Sequence, residues 1–155
     1  MADCFCGSGQ TYKNCCEPYI NGVVLPASAE LLMRSRYSAF CVGNAEYLMA
    51  TLHPDRHRTE SIKALRNSFV DTHWHSLRIL SCDKGLAGDT GGEVEFTAFY
   101  SNNQQIVQLH ERSRFLSINS IWYYLDGDML PAISLGRNDS CWCGSSKKSK
   151  KCHPN

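Results

Sequence analysis

A short cysteine pattern stands at each end of the chain, and it constrains the fold more than anything between. The first copy is Cys4-Phe5-Cys6-Gly7-Ser8-Gly9-Gln10-Thr11-Tyr12-Lys13-Asn14-Cys15-Cys16. The second is Cys141-Trp142-Cys143-Gly144-Ser145-Ser146-Lys147-Lys148-Ser149-Lys150-Lys151-Cys152-His153. The copies agree at both Cys of the first pair, at the Gly-Ser that follows, at Lys13 and Lys150, and at the Cys two residues further on, Cys15 and Cys152. Each offers four soft donors: Cys4, Cys6, Cys15 and Cys16 in one, Cys141, Cys143, Cys152 and His153 in the other. That is the donor count of a closed tetrahedral zinc site.

The spacing favours a metal over disulfides. Cysteines that are adjacent or one residue apart rarely reach disulfide geometry with each other without strain, yet they readily share one ion. Gly7 and Gly144 follow the second Cys of each pair, where a tight turn calls for positive φ. Such a turn aims backbone N–H groups at the sulfurs. The competing reading is a secreted disulfide scaffold. Met1-Ala2-Asp3 runs straight into the first cluster without the pattern of a signal peptide. The expectation is therefore two structural zinc ions in a reducing, cytoplasmic setting.

These residues carry a family resemblance. Both ends resemble the SEC-C motif, Cys-x-Cys-Gly-Ser-Gly followed by a Lys and a closing Cys-Cys or Cys-His. The same motif forms the C-terminal tail of the translocase motor SecA, where zinc shapes the tail and the tail docks on the export chaperone SecB. Two such motifs around a domain of this length resemble the bacterial YchJ family. One position departs from the pattern: Ser146 stands where the motif has its second Gly. Ser tolerates positive φ less well, so a slightly altered second loop is expected, with no ligand lost.

The 155 residues suffice for one compact domain with two small appendages, expected over 1–22, 23–134 and 135–155. No apolar run approaches membrane-spanning length, which argues against a membrane protein. Net charge is +1, so nothing global calls for nucleic acid or membrane. From Arg137 onward, however, Lys147, Lys148, Lys150 and Lys151 join Arg137 against the single acid Asp139. Seven of the nine cysteines sit in the clusters; Cys41 and Cys82 stand alone in apolar surroundings and are expected to be buried thiols.

Between the motifs, Glu17 to Gly22 reads as a turn. Ser28 caps a helix carrying Met33, Tyr37, Phe40 and Cys41 at helical spacing, and Gly43 stops it. Asn44 caps a second helix, ended by Pro54, and a third is expected from about Thr59 to Phe69. The period then changes. Trp74 to Cys82, Val94 to Tyr100, Ile106 to Ser117 and Ile121 to Leu125 read as strands, the last ended by Asp126-Gly127-Asp128. Helices followed by hairpin-linked strands specify an α+β domain. The resemblance sharpens this to three helices on a curved antiparallel sheet, the cone-like fold of nuclear transport factor two.

One residue breaks the alternation. Glu111 falls in register with Val107, Leu109 and Phe115, on the apolar face. It is either a general base or ligand contact in a pocket, with Trp122, Tyr123 and Tyr124 as candidate walls, or a satisfied carboxylate bonded to an Arg or Tyr, or a rim residue past a bulge. His53, His73, His75, His110 and Arg112 form no triad or metal spacing. No phosphate loop, nucleophile elbow or His-Glu-x-x-His is present.

Two functions follow. The first is a zinc-binding protein-interaction module, chaperone- or ribosome-associated by resemblance. Four protein ligands leave no place for a reactive water, so this reading leans away from catalysis. Its basic second motif, through Lys147, Lys148, Lys150 and Lys151, suits a protein with an acidic surface, or ribosomal RNA. The alternative is a small-molecule-binding protein or enzyme built around Glu111. Its middle domain is expected to hold a core of its own without metal.

Overall fold

The computed structural model describes residues 2–154. A short helix α1 (Glu17–Ile20) replaces the expected turn after the first motif, with Pro18 in its first turn where a missing N–H costs nothing. Helix α2 (Ala29–Val42) begins at Ser28, whose hydroxyl accepts from the Leu31 N–H at 3.2 Å, and stops at Gly43 with φ +73°. Helix α3 (Ala45–Ala50) is capped by Asn44. Helix α4 (Ile62–Phe69) starts later than Thr59, because the Ser61 hydroxyl takes the Ala64 N–H at 3.0 Å and fixes the first turn there.

Four strands follow: β1 (Thr72–Lys84), β2 (Gly91–Asn102), β3 (Gln105–Ile118) and β4 (Ile121–Met129). They form one antiparallel sheet in sequence order. Register shifts at Trp74/Ser76, Ile79/Ser81 and Arg114/Phe115 mark bulges, which bend and twist such a sheet. A last short helix, α5 (Ser149–Cys152), lies within the second motif.

Helix α2 packs against β1, β2 and β4, α4 against β1, and α3 on α2 and α4. The core joins Leu32, Met33 and Tyr37 of α2 to Val94, Phe96 and Ala98 of β2, Phe115 of β3 and Trp122 of β4. Each large side chain fully buried there contributes about 1.5–3 kcal/mol through apolar surface removed from water.

Two further sequence expectations are corrected. Asp126-Gly127-Asp128 does not end β4. Arg114 on β3 ties down both acids, Nε to Asp126 at 2.6 Å and Nη1 to Asp128 at 2.7 Å, so the ladder continues to Met129. Cys82 is exposed rather than buried, since β1 is an edge strand and its far end is uncovered; Cys41 is half-buried.

Candidate metal centres

The two motifs share their loop hydrogen bonds. In the first, Cys4 N–H donates to Gln10 O at 2.8 Å, and Gly7 N–H to Cys4 O at 3.2 Å. In the second, Cys141 N–H donates to Lys147 O at 2.8 Å, and Gly144 N–H to Cys141 O at 3.3 Å. The Ser8 hydroxyl accepts from Gln10 N–H at 3.2 Å and lies 3.2 Å from the Cys15 sulfur. Ser145 repeats both contacts, with Lys147 N–H at 3.2 Å and the Cys152 sulfur at 3.3 Å. Gly7 and Gly144 have φ of +76° and +81°, as the turn requires. Ser146 adopts φ +68°, matching Gly9 at +84°, so the Gly-to-Ser departure leaves the loop unchanged.

These loops bring the donors together. The sulfurs of Cys4, Cys6, Cys15 and Cys16 lie within 4.8 Å of one another, as do those of Cys141, Cys143 and Cys152 with a ring nitrogen of His153. All nine cysteines are free thiols. The donor sets fit zinc. A tetrahedron with Zn–S of about 2.3 Å has edges of about 3.8 Å. Cys6–Cys15 and Cys15–Cys16 stand at 3.7 and 3.9 Å, and Cys143–Cys152 at 3.5 Å. His153 Nδ1 lies 3.2 Å from the Cys141 sulfur, which selects Nδ1 as its donor atom.

The sulfurs do not ionise together on their own. Cys6 is lowered to about 4 by the hydrogen bond from the Cys16 thiol, against the cost of burial and with help from the Ser8 hydroxyl and backbone N–H. Cys16, which supplies that proton, is pushed up by the same bond and by burial. Burial also raises Cys15. At the other end burial opposes ionisation of Cys143, but hydrogen bonds from the Ser145 hydroxyl and N–H and from the Cys152 and Cys141 thiols together outweigh it and bring the thiol down to about 6. Burial raises Cys141. Within each cluster one thiol is thus lowered while a neighbour is raised, and a divalent cation bound there would draw the protons off the raised thiols.

The motifs differ in where they sit. Cys4, Cys6 and Cys16 belong to the main core, with Cys6 0% and Cys16 1% exposed. The Cys4 sulfur lies 3.7 Å from the Ser38 hydroxyl of α2, and Arg34 Nη1 of α2 donates to Cys6 O at 2.9 Å. In the second motif only Cys141 is buried among the donors; Cys143 and Cys152 are half-buried and His153 is exposed. That motif rests on β1. Ser76 donates its hydroxyl to Trp142 O at 2.6 Å, and the Trp142 ring meets His75 at 5.1 Å and His153 at 4.7 Å. A Cβ on Gly144 would stand 2.9 Å from His75 O, so the close approach needs glycine. Lys147, Lys148, Lys150 and Lys151 are all exposed.

Glu111 lies in the middle domain, apart from both clusters. It lines a cavity of about 380 Å³ between the helices and the sheet. Its Oε1 accepts from the Tyr124 hydroxyl at 2.7 Å and from the Ser113 hydroxyl at 3.0 Å. The carboxyl is therefore bonded to a Tyr and also faces a pocket. Tyr124 is a wall of that cavity; Trp122 is core, and Tyr123 packs on His53. His110 bonds to Pro131 O and Glu95, and Arg112 to Glu95, as a structural network. His73 and His75 pack together. Arg36 had drawn no attention in the sequence, yet it is a buried cavity wall. Its signal is a charge on the helix face of Met33, Tyr37 and Phe40.

Comparison with known proteins agrees with this architecture. Residues 28–127 match the model of the YchJ middle NTF2-like domain, and residues 2–18 and 137–153 match the SEC-C motif. The chain belongs to the YchJ-like family. A relative from Serratia proteamaculans described only as a UPF0225 protein is 49% identical over 152 residues, 96% of either chain. Among solved structures, a SEC-C motif protein from Rhodopseudomonas palustris superposes with a TM-score of 0.77 at 31% identity, covering 84% of this chain and 100% of its own. Another, from Psychrobacter arcticus, gives 0.71 at 32% identity, covering 96% and 93%.

Proposed function

We propose that this YchJ-like protein is a cytoplasmic zinc-binding interaction module. One structural zinc sits at Cys4, Cys6, Cys15 and Cys16, and a second at Cys141, Cys143, Cys152 and His153. The observation that carries this is the pair of loops with the same backbone hydrogen bonds, each gathering four soft donor atoms within 4.8 Å of one another. Zinc stoichiometry on protein purified without chelator tests it: about two ions per chain are expected, and well under one would refute it.

The second motif is the interaction surface of this reading. With three thiolates and a neutral imidazole its site carries a single net negative charge. Four exposed lysines in the same loop outweigh that and leave the surface basic. An acidic protein surface is its complement. Zinc fixes the chain at Cys143 and Cys152 and so presents the lysines with restricted freedom, which lowers the entropy lost on binding. Capture of partner should therefore fall in Cys152→Ser although no lysine changes. It should also weaken as salt rises past about 0.15 M, where the Debye length is near 8 Å. Capture abolished by nuclease would instead identify ribosomal RNA as the ligand. Among the described residues no helix is long and apolar enough to cross a membrane.

A further inference from the structure

We infer that the cavity between α2 and the sheet is a binding site for a small, flat heteroaromatic molecule without net charge, whose ring N–H donates to Oε2 of Glu111. The cavity, about 380 Å³, is of the size that small-molecule sites occupy, roughly 300–1,000 Å³. It has the composition of such sites as well: apolar walls with a few convergent polar groups. Trp74 anchors the aromatic wall, packing on Tyr37 at 5.7 Å, Phe40 at 5.8 Å and Tyr100 at 4.9 Å between ring centroids. Such faces and edges suit a flat ring.

The polar end is built around one carboxyl. Tyr124 and Ser113 both donate to Oε1 of Glu111, and this fixes the group's orientation. Among the described residues Oε2 accepts no hydrogen bond, and no ion pair engages the group. Glu111 is half-buried, and the oxygen that makes no hydrogen bond within the chain keeps its acceptor capacity for a donor that enters the cavity. The chain makes room for the group: a Cβ on Gly127 would collide with Oε1 and Cδ of Glu111.

A cationic side chain lies at the same end of the cavity. Arg36 lies 4.7 Å from the centroid of the Tyr124 ring and sends Nη1 to Leu48 O at 2.8 Å and Thr51 Oγ1 at 2.6 Å. Burial lowers Arg36 only to about 10, so it stays cationic at neutral pH. A cationic ligand would meet Arg36 and an anionic one Glu111. A neutral ring with an N–H at its leading edge meets neither cost.

The test uses the full zinc-loaded chain and two probes of one shape: indole, and benzofuran, which has oxygen in place of the N–H. Titration is followed by amide ¹H–¹⁵N spectra. Indole should shift Trp74, Tyr100 and Glu111 saturably, and benzofuran should bind at least about tenfold more weakly, the worth of a hydrogen bond to a charged acceptor. Glu111→Gln should erase the preference while zinc content stays unchanged. No saturable shifts at the cavity with indole, equal binding of benzofuran, or an unaltered preference in Glu111→Gln would each overturn the inference. Should the variant not fold, the two probes on the unaltered chain still decide.

Discussion

The two ends of this molecule carry the same loop in different surroundings. Around Cys4–Cys16 three of the four donors are buried, and α2 supplies their neighbours. Around Cys141–His153 only Cys141 is buried, and the loop rests on the edge strand β1 through Trp142 and Gly144. One motif is a corner of the core; the other is an attached surface. A motif fixes local geometry through its own short-range bonds, whereas its role is set by what its outer face meets.

The largest test of that difference is ligand removal. Cys16→Ser should lower global stability by about 3 kcal/mol or more, because it loses the metal and leaves a polar group in the core. Cys152→Ser should change global stability by less than about 1 kcal/mol, since it frees only the terminal loop. Urea unfolding of both variants, followed by circular dichroism, measures the gap. Equal losses would break the comparison.

Metal release should show the same asymmetry kinetically. Local opening of an exposed loop needs less free energy than opening of a core. Chelator should draw zinc in two phases at least about tenfold apart, each tenfold reflecting about 1.4 kcal/mol. The fast phase should vanish in Cys152→Ser. A single phase releasing both ions would place the two motifs in one cooperative unit.

Smaller effects lie in the loops. Gly9→Ala adds a Cβ at φ +84° facing open space, so it should cost about the 1–2 kcal/mol of the left-handed conformation. Gly144→Ala carries that cost and also meets His75 O, so it should cost more and detach the second motif from β1. The Trp142 environment, read by fluorescence, reports the detachment. Ser146→Gly relieves positive φ and should stabilise the second loop slightly, by about 0.5 kcal/mol, seen as slower zinc loss.

Much of this architecture was written locally. The Ser28, Asn44 and Gly43 helix signals act within one turn, and each operates as read. The donor sets come from spacing within thirteen-residue windows, which is why both clusters were legible. What escaped depends on distant partners. Asp126-Gly127-Asp128 reads as a stop until Arg114 on the neighbouring strand is placed beside both acids. Glu111 was visible as a break in alternation, but its two hydroxyl donors and the cavity needed the sheet closed against α2. The difference between the motifs is of this second kind. Nothing within Cys4–Cys16 says that α2 will cover it, and a core independent of metal was the natural expectation. With Cys4, Cys6 and Cys16 packed among Leu32, Met33 and Tyr37, the core is shared with the first site.

The most direct test is amide hydrogen exchange during stepwise zinc removal. After the first equivalent leaves, protection should fall across 137–153 while α2 stays protected. After the second, protection should fall in α2 and in the strands beneath it. Loss of α2 protection with the first equivalent, or its survival after both, would contradict the division of one motif into the core and the other onto the surface.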